Sequence, residues 1–218
     1  MEKLNGKKKI KISVFISGRG TNLRSLINFS KQKKAKFKIV LIISNNKNAK
    51  GLHFEKKNNI KFLIINYENK KKAENKILKI LKINNIELIC LAGFMKILSK
   101  KIIKKYKDKI LNIHPSLLPK YKGLNTHKRV ILNKELFTGS TVHLVSSKLD
   151  SGKIILQKKI RVLKKDSEKS LAKRLLKIEN QLYPKALKKF ITTNLYKKNL
   201  FLFLHFPSYL SRALNSYL

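Results

Sequence analysis

Short runs of β-branched and aliphatic residues, each followed by a stretch with helical spacing, constrain this chain more than any other feature. FKIVLIIS at 37–44 is continuously apolar, as expected for a strand covered on both faces. IKISVFIS at 10–17 is a short, partly alternating β-rich run that reads as another strand, and the runs at 61–66, 87–92 and 110–113 give further strands. Between them Leu23, Leu26 and Ile27 share one helical face. Ala73, Ile77, Ile80 and Leu81 share another, within a helix predicted over 70–84. Strands are also predicted at 140–145 and 154–162, separated by the turn SSKLDSGK. A helix over 167–190, capped by Ser167 or Asp166, closes the body. Alternating strands and helices predict right-handed βαβ units, hence an α/β fold with an open, mostly parallel sheet flanked by helices.

With 218 residues, 43% of them hydrophobic, one domain can bury a substantial core. From residue 194 the chain changes character, and LFLFLHFPSYLSRALNSYL is aromatic and apolar with almost no charge. The basic opening MEKLNGKKKIKISVFIS resembles an extension into a strand rather than a signal peptide. No run reaches the ~18–20 apolar residues of a membrane span. Cytoplasm is the expected compartment. The single cysteine, Cys90, excludes an intramolecular disulfide and any CxxC-type zinc or redox site, and is expected in the core.

The net charge is +41. Clustered cations would suggest a nucleic-acid partner. Here the lysines are spread along the whole chain, Ile and Asn are over-used with them, and no nucleic-acid module is recognisable. Biased composition on a tolerant surface is therefore expected, with no nucleic-acid or membrane partner and a general attraction for small anions. Only 11 Asp and Glu residues remain, so each loop or pocket carboxylate needs a reason. Asp150 and Glu179 are two of these carboxylates.

Two motifs carry chemistry. In SGRGTN a strand ends, glycines allow a tight turn, and a helix begins at once, presenting backbone N–H groups to an anion. It is neither GxGxxG nor a Walker loop, so a phosphate-bearing ligand is expected rather than a dinucleotide or ATP, with a purely structural turn as the alternative. In LNIHPSLLP, Asn112 and His114 stand two residues apart at a strand end and so project to one side. An amide donor beside an imidazole suits acyl chemistry, one stabilising an oxyanion while the other moves a proton.

Taken in order, ISGRGTNL, IISNN, AKGL, LAGFMKILS, LNIHPSLLPKYKGLNTH, GSTVHLV, LDSGKIILQ, DSEKSL and IENQLYP resemble the phosphoribosylglycinamide formyltransferases, folate-dependent enzymes of purine synthesis. The resemblance covers about 11–190 and implies a Rossmann-like formyltransferase fold, with a catalytic domain over 1–193 and a tail over 194–218. It implies formyl transfer from 10-formyltetrahydrofolate to phosphoribosylglycinamide by direct amine attack. Asn112 would hold the oxyanion, His114 would mediate proton transfer, and Asp150 would raise the His114 pKa and keep the imidazolium near neutral pH. Gly20, Thr21 and Asn22 would hold the ribose phosphate and Glu179 the glycinamide end. Met95, Lys96, Ile97 and Leu98 would line the folate pocket, with backbone amides reading the heterocycle, and Lys70 would face the folate's acidic tail. Asn112 would also touch the folate. Lys70 and Lys96 replace usual arginines and lose the planar fork. Lys153 stands where a proline is frequent, which would loosen the Asp150 loop. His143 is expected to be structural. No tightly bound cofactor and no metal are implied, since His53, His127 and His205 lack ligand spacing. The state is expected to be monomer or homodimer.

Three other readings compete with this one. Methionyl-tRNA formyltransferases share the SLLP segment, but the residues after Phe190 leave no room for their RNA-binding domain, and GLNTH fits the glycinamide enzymes better. Formyltetrahydrofolate deformylases usually carry a second histidine where Pro115 stands. A basic nucleic-acid-binding protein on an ancestral fold has no need of Asn112, His114 and Asp150 together.

Overall fold

The structure, a computed structural model, describes residues 9–196. Its centre is a seven-stranded sheet in the order β3-β2-β1-β4-β5-β6-β7. The strands are β1 (Ile10–Ile16), β2 (Phe37–Ser44), β3 (Lys61–Ile64), β4 (Leu88–Leu91), β5 (Ile110–His114), β6 (Phe137–Leu144) and β7 (Ile154–Arg161). β1 to β5 pair in parallel, whereas β5–β6 and β6–β7 are antiparallel. The mostly parallel α/β sheet expected from the sequence is thus present, with an antiparallel flank on one side.

The strand alternation sorts the core into two layers. Ile12, Val14 and Ile16 of β1 pack with Leu23, Leu26 and Ile27 of α1 (Thr21–Ser30), and with Leu182, Tyr183 and Leu187 of α6 (Glu168–Phe190). Phe15, Leu41 and Ile43 lie on the other face beneath Ala73, Ile77 and Leu81 of α3 (Lys70–Ile83) and Ile102 of α4 (Lys100–Lys105). Ile80, expected on the buried stripe of α3, is only half-buried at the edge of that layer. Two further short helices, α2 (His53–Asn58) and α5 (Thr126–Leu132), complete the described α-helices.

Local signals account for the long elements. Asn69 caps α3 by accepting from Lys72 N–H at 2.9 Å. Ser167 and Ser170 form a reciprocal capping box at the start of α6. α6 runs on through a π-helical turn at Ile191–Tyr196, so the expected tail boundary at 194 falls within that turn. The remainder of the tail lies outside the described residues. Among the described residues, no helix is long and apolar enough to cross a membrane.

Candidate active site

Asn112 and His114 lie on one face of β5, while Leu111 and Ile113 on the other enter the layer beneath α1 and α6. His114 is buried. Its Nε2 lies 2.8 Å from the Tyr121 carbonyl oxygen, which can only accept, so this nitrogen carries the proton of the neutral ring. Nδ1 faces Asp150 Oδ2 at 3.3 Å.

Asp150 sits in left-handed backbone with φ 44°, a conformation that Asp and Asn tolerate better than most residues. Gly123 N–H donates to its Oδ2 at 2.9 Å. The loop around it is anchored at a neighbouring point, because Leu144 N–H donates to the Lys153 carbonyl at 2.9 Å. A side chain at Gly152 would meet the Leu144 carbonyl oxygen at 1.8 Å. Backbone contacts on both sides of Lys153 therefore fix the segment without a proline there.

His143 does more than fill the core. It is the cross-strand partner of Asn112 in the β5–β6 ladder. Its Nδ1 donates to the Leu144 carbonyl at 2.8 Å, so Nε2 of the neutral ring is a lone pair and accepts from Asn112 Nδ2 at 3.3 Å. One amide hydrogen of Asn112 remains for a ligand. The same Nε2 lies 3.6 Å from Asp150 Oδ1. Sequence spacing could not reveal this contact, because 31 residues separate Asn112 from His143 and only the strand register joins them.

The electrostatics correct one expectation. Burial pushes the His114 pKa down, and this outweighs the upward pull of the Tyr121 carbonyl and of the Asp150 charge. The ring therefore rests neutral near pH 7 rather than as a held imidazolium. Asp150 behaves oppositely. Burial pushes its carboxyl up, but the Gly123 amide that donates to it and the facing His114 ring help bring it below the usual carboxylate range.

The turn before α1 stands at the carboxyl end of β1. Gly20 adopts φ 71°, and a Cβ there would approach Gly51 Cα to 2.4 Å. Only two glycines allow these segments to touch. Thr21 and Asn22 open α1, whose start has no side-chain cap, leaving its first amides for a ligand. Asn22 Nδ2 donates to Glu179 Oε2 at 2.9 Å, which brings two of the residues expected around the ribonucleotide into contact. Burial pushes the Glu179 carboxyl up, partly offset by that bond. The docking of α6 here has a covalent cause. Pro184 lacks the N–H that would bond the Asn180 carbonyl within the helix, and Ser25 of α1 donates its hydroxyl to that oxygen instead.

The segment expected around the folate follows β4. Met95 and Ile97 are exposed hydrophobics, at 69% and 68%, and Lys96 is exposed beside them. Leu98 instead buries its side chain in the layer under α3 and α4, so only its backbone can face a ligand. Met95 N–H is not available to a heterocycle, since it donates to Ser17 Oγ at 2.8 Å. Lys70 is exposed at the start of α3. Among the described residues, no cluster of His, Cys, Asp and Glu could hold a metal ion.

Known proteins resemble this chain over most of its described length. The formyl transferase family model matches residues 10–187. The chain is 41% identical over 192 residues to phosphoribosylglycinamide formyltransferase of Haemophilus influenzae, covering 87% of this chain and 91% of that one. It is also 41% identical over 182 residues to the trifunctional purine biosynthetic protein adenosine-3 of Gallus gallus, covering 82% of this chain but only 18% of that longer protein. The crystal structure of phosphoribosylglycinamide formyltransferase from Brucella melitensis superimposes with a TM-score of 0.80 at 39% identity, covering 84% of this chain and 96% of that one.

Proposed function

Because this chain belongs to the phosphoribosylglycinamide formyltransferase family, we propose that it transfers the formyl group of 10-formyltetrahydrofolate to the amine of phosphoribosylglycinamide, a step of de novo purine synthesis. The products are formylglycinamide ribonucleotide and tetrahydrofolate. Residues 1–193 form the catalytic unit in this reading, and 194–218 an appendage to it. Both substrates are small anions, which suits a chain of net charge +41.

The amine attacks the formyl carbon directly, with no covalent enzyme intermediate. Charge develops on the formyl oxygen, and the amide hydrogen of Asn112 not used by His143 donates to it. The attacking nitrogen must lose a proton. With Nε2–H committed to Tyr121, the accepting atom of His114 is Nδ1, and the new charge forms beside the Asp150 carboxylate. The proton then passes to the departing folate nitrogen, which returns the ring to its neutral state. The α1 amides at Thr21 and Asn22, behind Gly20, hold the phosphate, and Glu179 accepts from the glycinamide end. The unpaired amides of Lys96 to Leu98 face the folate heterocycle and Lys70 its acidic tail. No tightly bound cofactor takes part.

The observation that carries this reading is the cluster of Asn112, His143, Asp150 and His114 within one chain of contacts. The deciding assay incubates purified protein with both substrates and follows tetrahydrofolate release. Turnover is expected, with His114→Ala slower by about 10²-fold or more. An inert parent, or a His114→Ala variant as fast as the parent, overturns it.

A further inference from the structure

Three loops meet at Ser17, the first residue after β1. Its Oγ accepts from Met95 N–H at 2.8 Å and donates to Asn45 Oδ1. Its N–H donates to the Gly93 carbonyl at 3.1 Å, and its carbonyl accepts from Asn46 Nδ2 at 3.1 Å. One residue thus fastens the 93–98 segment after β4 on one side and the loop after β2 on the other. The second loop continues to Gly51, which donates to the Gly18 carbonyl at 3.0 Å and is the surface against which Gly20 packs.

We propose that Ser17 is a positioning residue that couples the two substrate subsites, holding the folate-facing segment and the wall of the phosphate turn in one register. The inference rests on the functional reading above for the identity of the two ligands. Its physical basis is the hydroxyl's double role. A hydroxyl that donates becomes a better acceptor, so the Asn45 and Met95 bonds strengthen each other. Met95 N–H is spent on Ser17, which sets where the next three amides stand when a heterocycle approaches. When phosphate draws the Gly20 turn tight against Gly51, the Asn45 loop and then Met95 are held with it. Each ligand therefore finds its subsite partly ordered by the other, and linkage requires the same factor in both directions.

The test uses the full chain, as parent, Ser17→Ala and Ser17→Thr. Calorimetric titration gives Kd for phosphoribosylglycinamide and for a folate analogue lacking the transferable formyl group, each alone and with the other ligand saturating. The parent is expected to bind each ligand more tightly in the presence of the other. Ser17→Ala is expected to weaken both by about fivefold to tenfold, the scale of one hydrogen bond, and to abolish the mutual effect. Ser17→Thr keeps the hydroxyl and restores it, with the unfolding midpoint of all three proteins similar. Independent binding in the parent, or a Ser17→Ala variant that weakens one ligand alone or neither, overturns the coupling. A parent that binds both ligands without transferring formyl refutes the functional reading, while the binding constants still decide the role of Ser17.

Discussion

Asn112 Nδ2 and His143 Nε2 meet at 3.3 Å across the antiparallel β5–β6 pair, so the amide proposed to face the formyl oxygen is oriented by a ring whose own tautomer is set by the Leu144 carbonyl. Without the ring, the amide can rotate and present its oxygen where a donor is required. His143→Ala should lower kcat by about tenfold to a hundredfold, a fraction of the effect of losing an oxyanion donor outright. Both KM values should stay close to those of the parent. Steady-state kinetics with each substrate varied checks this, and a raised KM with unchanged kcat would assign His143 to binding instead.

Asp150→Asn tests the other side of the cluster. Asn accepts left-handed backbone and can still accept from Gly123, so the loop should keep its shape. What disappears is the negative charge that compensates protonation at His114 Nδ1. A loss in kcat of about 10²-fold or more is expected, with an unchanged circular dichroism spectrum. Kinetics equal to the parent's would remove Asp150 from the mechanism.

The pH profile follows from the resting state of His114. Its folded pKa lies below the ordinary 6.5, chiefly through burial. A base must be neutral to act, so kcat/KM, which reports the free enzyme, should rise with pH through a midpoint below 6.5 and then level off. In Asp150→Asn that midpoint should move lower still, because a charge that raises it is gone. Stability carries the same sign. The unfolded chain takes up this proton first, so the contribution of His114 is fully present above 6.5 and is lost as pH falls towards the folded value. Rate profiles and thermal melts across that range are the measurements.

Ser25 and Pro184 should behave as a pair. Ser25→Ala leaves the Asn180 carbonyl without a donor and should cost about 1–3 kcal/mol in denaturant unfolding. Pro184→Ala restores a backbone N–H four residues after Asn180. The double variant should therefore recover part of the loss, a coupling that additive behaviour would disprove.

Much of this architecture was legible from periodicity. The apolar run of β2 and the apolar faces of α1 and α3 each report a burial pattern that water imposes on a local segment. Helices α2, α4 and α5 span six or seven residues, too few for a periodic stripe to stand out, and none was foreseen. Within the site, Asn112 and His114 announced themselves by spacing on one strand. The roles of His143, Ser17 and Gly51 did not, because each depends on which strands lie side by side and in what register. The resting charge of His114 was misjudged for a related reason. A sequence shows the neighbouring carboxylate but not the depth of burial that opposes it.

The hydrogen bond between Asn22 and Glu179 spans 157 residues, and it has a consequence for the order in which the molecule is made. When a ribosome has released β1 to β6, the phosphate turn, Asn112 and His114 already exist as polypeptide. Glu179, the carboxylate proposed to complete the ribonucleotide pocket, is still to be translated, as is Tyr183, whose hydroxyl bonds the Leu91 and Leu111 carbonyls of β4 and β5. A nascent or prematurely stopped chain lacking α6 therefore carries Asn112 and His114 without the Glu179 partner of Asn22. In the proposed reading, competence arrives with that last long helix, in a single late step.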